Sequence, residues 1–503
     1  MPVRHEPPTY LAPPPALLSR NPARWLRFFG PGAIIASLNV GSGEVLFPSR
    51  SGAIFGYRIL WIFLLIAALK WVMAYTSMRH MILTGAHPYE RWSRVAGPRG
   101  WLPMFVVVVA VLCTPVWSSF LQGITGTVSA WVFGIGDHYQ WATVCVALSV
   151  VLLSLGGYAF LERVQLVILS AMVVCIFIAA TYVRPDWWQV VQGLFVPRPM
   201  ACPSWATDLI PALRERTLWV EIMVYAAALG GQSYDYLAYC AFLREKGWGR
   251  AHLGIAEAQE LRHIAAHPSH PARLWVRAAL VDTVLSFAAI VIIAAVFTIL
   301  GTAVLQPQRL IPDGVDLLNH QARFLTALSP WLLPLYQAAV LLAFFGSLYA
   351  GPEMTLRIIH EYLLTVPRLR SIPFHTLRWA VIGWVLLGGL AVLWLSRWRP
   401  GVQLIDIVTP AGIYTGVLLC GFYCGANLWA DRRFLPRALR IPRWLQLANL
   451  VGGLAFALFG VKALWDYDGV RSVAVLALLL CGSALLARSL HPWLYRPREA
   501  RRP

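Results

Sequence analysis

The sequence predicts an all-α polytopic membrane protein of about twelve transmembrane helices, and three observations carry that prediction. Of its 503 residues 58% are hydrophobic and 13% charged, which is more apolar surface than a water-soluble core of this size can hide. The apolar residues gather into segments of about 20, the length that crosses a hydrocarbon layer. The Lys and Arg residues behind the net charge of +19 concentrate in alternate loops.

In order, the spans begin near Phe28, Ile59, Leu102, Trp141, Val164, Leu218, Trp275, Trp331, Trp379, Val402, Leu445 and Ser472. Residues 1–27 precede them as a flexible cytoplasmic tail, whose PPTYLAPPP lacks the apolar core of a cleavable signal peptide. Spans 1–5 occupy 28–183 and spans 6–10 occupy 217–430, with two extra spans over 431–490 and a basic tail over 491–503. The loop 184–216 lies on the far side, where the tryptophans of RPDWW suit a membrane interface. The loop 244–273 is helix-permissive in its middle but reads as flexible and solvated, although His252, His263, His267 and His270 are alternative metal ligands. Seven of the eight cysteines fall in apolar segments, so no disulfide framework is expected.

The clusters Arg20/Arg24/Arg27, Arg91/Arg94/Arg99, Arg244/Lys246/Arg250, Arg368/Arg370, Arg432 to Arg443 and Arg496 to Arg502 share one side. Both termini are therefore expected in the cytoplasm, with the protein in the cell (inner) membrane. The same charges attract anionic lipid headgroups of the bilayer, and nucleic acid is not an expected partner. There is no P-loop, H-E-x-x-H or nucleophile elbow, so the chain is not read as an enzyme and no cofactor is expected.

Two spans are interrupted by small and polar residues, at matching places if the first ten are five plus five. GPGAIIASLNVGSGEVLFP sets Asn39, Gly41, Ser42, Gly43 and Glu44 between apolar arms, and VYAAALGGQSYDYLAYC does the same with Gly230, Gly231, Gln232, Ser233 and Asp235. Irregular backbone at membrane depth is tolerated where it lines an enclosed cavity, and such a pair marks a transporter site. Two glycine-packed helix crossings are the alternative.

Short matches then accumulate in a fixed order: Gly30-Pro31-Gly32, Ser51-Gly52-Ala53, Phe55-Gly56-Tyr57, Leu83-Thr84-Gly85, Leu161-Glu162, Gly193 to Pro197 and Tyr236-Leu237. Over residues 28 to 365 the chain thereby resembles the Nramp family (natural resistance-associated macrophage proteins), transporters of divalent metals. The resemblance implies a LeuT-like fold, two inverted five-helix repeats plus two extra helices, rocking about a midplane site. Where the family carries Asp-Pro-Gly-Asn in the first break and Met-Pro-His in the second, this chain has Gly41-Ser42-Gly43-Glu44 and Gly231-Gln232-Ser233. The sixth-span histidines are replaced by Ser233 and Ala238, and the third-span acidic positions near Trp117 and Phe120 are lost.

A carboxylate at mid-span costs about 2.5–3.5 kcal/mol on insertion scales, so one kept there should face a partner or water. Glu44 is the foremost candidate, as a ligand or as the cap of the following half-helix. With Gln232, Ser233 and carbonyls near Gly41 and Gly230 it would make an all-oxygen cage for a hard cation; Glu44 and Gln232 are the metal-ligand candidates. Lys70, eleven residues into the second span, needs a carboxylate or carbonyls beside it. Lys70, Asp235, Glu353 and Asp406 are candidates for moving a proton or charge, with H+ as the candidate coupling ion; structural pairing, or capping for Asp235, is the competing role. The expected activity is secondary active transport of a divalent cation. The same fold carrying a small organic solute, or a non-transporting sensor or scaffold, remain the alternatives.

Overall fold

The computed structural model describes residues 10–19, 21–25, 43–155, 173–210, 212–215, 217–312, 317–326, 329–398 and 404–495. Among these there is no strand. Helix α1 (Gly43–Phe55) passes through a 3-10 turn, Gly56–Ile59, into α2 (Leu60–Thr84). Gly56 makes the turn at φ +63°, a conformation that favours glycine. Then come α3 (Trp101–Phe133), α4 (His138–Leu155), α5 (Val173–Tyr182) and the short α6 (Trp187–Phe195). The second half holds α7 (Leu218–Ala228), α8 (Asp235–Lys246), α9 (Pro271–Leu300), α10 (Leu333–Thr365) and α11 (Phe374–Ser396). Last are α12 (Leu404–Gly412), α13 (Leu419–Phe434) and α14 (Arg443–Leu494).

Eight apolar stretches among the described residues are long enough to cross a membrane. Val45–Thr84 joins the second arm of the first expected span to the second span. Arg443–Leu494 contains both extra spans, separated by non-helical backbone at Asp468 and Gly469. Leu447, Leu450, Leu454 and Leu458 of α14 stand exposed, as residues facing lipid must. Helix packing here is backbone to backbone: a Cβ on Gly52 would strike Thr298 O and one on Gly301 would strike Ser49 O, so α1 and the end of α9 lie together.

The arginine clusters meet at one end of the bundle. Arg91 and Arg94 stack over Phe434, Arg99 over Tyr495 and Arg368 over Trp493. Arg244 pairs with Glu361 at 2.9 Å. Two expectations need correction at this basic end. Residues 10–19, read as part of a flexible tail, are docked: Leu17 is buried, Leu11 O accepts from Trp275 Nε1 at 2.8 Å, and Tyr10 donates to Glu260. The loop 244–273, read as flexible, contains a helix at Ala258–Ala266 whose Leu261 and Ile264 pack on Leu83, Leu435 and Leu439. Apolar side chains spaced along both polar segments supply the burial that their composition hid. The loop histidines stack on one another, and no metal-holding group of three His, Cys, Asp or Glu exists among the described residues.

Candidate functional site: a chamber at the break in span six

Between α7 and α8 the chain leaves the helix. Leu229 is extended, and Gly230 and Gly231 take φ of +74° and +83°, where a side chain would strain the backbone. Each freed polar group then needs a partner in a medium without water. Gln232 N donates to Asp235 Oδ2 at 2.7 Å, and Asp235 N donates back to Gln232 O at 3.1 Å. Ser233 N donates to Thr415 O at 3.0 Å, and Gly230 O accepts from Tyr236 OH. Three further carbonyls receive Lys70 from α2: Nζ donates to Ala227 O at 3.2 Å, Leu229 O at 2.7 Å and Gly231 O at 2.8 Å. Lys70 has no exposed surface. Its charge is carried by main-chain oxygens at the negative end of the α7 dipole.

The Ser233 hydroxyl is different. Ser233 is 2% exposed, and among the described residues its Oγ has no hydrogen-bond partner. A buried orphan of this kind costs about 1–3 kcal/mol, so its retention points to a ligand or a water.

Span ten packs against the break itself. Between α12 and α13 the residues Ile413–Leu418 form a π-helical turn, a distortion that recurs at functional sites. It turns Thr415 O toward Ser233 N, and places the Thr415 hydroxyl 2.5 Å from Gln232 Oε1 and 2.7 Å from Ala411 O. Trp117 Nε1 of α3 donates to that hydroxyl at 3.2 Å. Gly416 permits the approach, since a Cβ there would come 2.6 Å from Ala227 O.

Beside the break lies a cavity of about 120 Å³, lined by Gly43, Ala228, Gly231, Gln232, Tyr234 and Asp235 together with Thr114, Trp117 and Ser118 of α3 and Ser347 and Thr355 of α10. Gly43 opens α1 directly against the end of α7, because a Cβ on it would run into Ala228 O. The start of the first span's second arm and the break in the sixth therefore share one chamber.

Of the expected site residues, Gly43, Gly231, Gln232 and Asp235 line the chamber, while Gly230 and Ser233 belong to the same break but not to the lining, and Lys70 reaches the break from α2. Gly41 lies outside the described residues, and so does the Glu44 side chain, although its backbone belongs to the first turn of α1. Of the carboxylate or carbonyls expected beside Lys70, the described residues supply carbonyls. Glu353 is absent from the chamber lining and pairs with Arg357 at 3.3 Å and Arg378 at 2.9 Å, the structural pairing weighed against a relay. Asp406, in the first turn of α12, is also absent from the lining. Thr415 was missed by sequence reasoning. The Thr409-Pro410 and Gly412 punctuation ahead of it was the available sign of an irregular helix.

Comparison with known proteins places this geometry in context. A family model described as natural resistance-associated macrophage protein-like matches residues 32–466. Metal transporter Nramp1 of Oryza sativa subsp. japonica is 28% identical over 224 residues, which is 42% of this chain and 40% of that protein. The chain thus matches about two fifths of that curated relative's length. Among solved structures, a manganese transporter of Eremococcus coleocola in complex with an aromatic bis-isothiourea substituted compound superposes with a TM-score of 0.66 at 14% identity, over 94% of each chain. MhsT in complex with L-phenylalanine superposes with a TM-score of 0.50 at 13% identity, over 87% of this chain and 98% of its own. The fold is LeuT-like and the protein is an integral membrane protein.

Proposed function

We propose, since this chain belongs to the Nramp family, that it is a secondary transporter carrying a divalent metal cation by alternating access through the chamber between α1, α7 and α8. The observation that supports this most is the donor set. Gln232 and Asp235 bring oxygen atoms to the chamber, the Ser233 hydroxyl on the same break is buried without a partner among the described residues, and Met354 is the one sulfur among the described lining residues. Oxygen ligands favour a hard or partly hydrated ion over a soft one. Glu44 would add a carboxylate from the first span. In this reading residues 28–183 and 217–430 are inverted repeats, the basic end faces the cytoplasm, and H+ is the coupling ion.

The test is binding of Mg²⁺, Ca²⁺ and Mn²⁺ to the full chain side by side, followed by uptake into proteoliposomes by the parent, Glu44→Ala and Asp235→Asn. Saturable binding of a divalent ion, lost with uptake in both variants, is the expected result. Failure of all three ions to bind ends the metal reading.

A second reading is favoured by Lys70. Its ammonium holds three carbonyls that a metal would otherwise use, leaving a chamber suited to a small organic solute with a polar group for Gln232 and Ser233. Solute uptake indifferent to divalent ions would select it.

A further inference from the structure

The acceptors of Lys70 belong to the break itself. Ala227 and Leu229 close α7 and Gly231 follows, and their oxygens stand 3.2, 2.7 and 2.8 Å from Nζ. Departure from the helix deprives these carbonyls of amide partners, and the α7 dipole adds negative potential where they converge. Converging carbonyls of this kind replace the hydration shell of an ion. The lysine stem reaches them past the bare Gly230, where a Cβ would lie 3.8 Å from Lys70 Cδ.

We propose that Lys70 Nζ is a chain-borne substitute for a free monovalent cation, and that the carbonyls of Ala227, Leu229 and Gly231 form a latent site for ammonium or potassium ion that opens when the side chain is shortened. The distances set the class of ion. They suit an ammonium, whereas Mg²⁺ needs about 2.0–2.1 Å and Ca²⁺ about 2.3–2.6 Å, which would require the break to contract. This inference goes beyond the transport reading and holds whichever solute the chamber carries.

The experiment follows thermal unfolding of the full chain in detergent by the fluorescence of its 23 tryptophans. The parent, Lys70→Ala and Lys70→Met are compared in chloride salts of N-methylglucamine, sodium, potassium and ammonium, with no divalent ion present. Lys70→Ala is expected to unfold below the parent in N-methylglucamine and to recover about 2 °C or more in ammonium or potassium. The parent should not respond, and Lys70→Met, whose uncharged stem fills the same space, should stay low in every salt. Equal response of parent and Lys70→Ala, absence of any monovalent-ion response, or parent-like stability of Lys70→Met overturns the proposal. So does aggregation of Lys70→Ala even when it is extracted and kept in ammonium. Because divalent binding is not read, a negative metal screen leaves this result standing, and the reverse also holds.

Discussion

Ser233 and His87 show how single buried groups divide into the idle and the employed. The Ser233 hydroxyl makes no bond among the described residues, so Ser233→Ala relieves an unsatisfied group. The unliganded variant should be as stable as the parent or up to about 1 kcal/mol more stable, while divalent binding weakens roughly 10-fold; paired thermal melts and titrations read both effects. His87, in the turn after α2, is fully buried, with Nδ1 accepting from Tyr89 N at 3.3 Å and Nε2 donating to Leu237 O at 3.0 Å. Both ring nitrogens are therefore used by the neutral tautomer, and burial lowers the group to about 4 against a weaker upward pull from the Leu237 carbonyl. The folded state resists protonation, so the stability His87 contributes is present above the unfolded value near 6.5 and is lost as pH falls toward about 4, on the order of 3 kcal/mol in all. Melting curves between these limits should be shallower in pH for His87→Gln, and an unchanged slope would contradict the assignment. At this scale the glycine pair Gly230-Gly231 was legible, because two glycines amid an apolar span announce unusual backbone. The partners of Lys70 were not, since a carbonyl leaves no trace in the identity of its residue.

At the level of the helix, the break in span six depends on two distorted segments fitting one another. The break after α7 was visible in composition, whereas the π-helical turn Ile413–Leu418 was not, because one extra residue in a helical turn alters no periodicity over so short a run. Gly416 is where the two distortions touch. Gly416→Ala would press a methyl against Ala227, with its Cβ 2.6 Å from the carbonyl oxygen, so α7 must shift and the Ser233 to Thr415 hydrogen bond must lengthen. A loss of about 1–3 kcal/mol is expected by thermal unfolding, together with weaker substrate binding. Gly412→Ala, whose Cβ would meet only side chains at 3.4 Å or more, is the control that should stay near the parent. The docking of the Tyr10–Ser19 stretch and of the Ala258–Ala266 helix escaped notice for a related reason. Their few apolar residues are too sparse to stand out, yet each finds a partner surface that exists only once the bundle has formed.

Across the whole molecule, buried charge pairs tie the helices at both ends. At the basic end Arg244 of α8 holds Glu361 of α10. At the other end Arg50 of α1 meets Glu221 of α7 at 3.0 Å and Pro312 O at 3.0 Å, with Tyr225 OH 2.5 Å from the same carboxylate oxygen. Glu221→Gln would remove a counter-charge from a buried guanidinium, and a loss of about 3–5 kcal/mol is expected. Glu361→Gln, at a more exposed pair, should cost less and instead loosen the basic end, raising the rate at which an engineered Ser347→Cys in the chamber lining reacts with a membrane-impermeant thiol reagent. The helical bundle was readable because hydropathy reports on the bilayer, a solvent shared by the entire chain; these pairings join residues far apart in sequence and had no such common signal. An ammonium bonded covalently to the protein has an effective concentration that no external medium can dilute. The helix break that Lys70 braces is thus set equally in brine and in nearly ion-free water, and on whichever side of the bilayer the chamber opens.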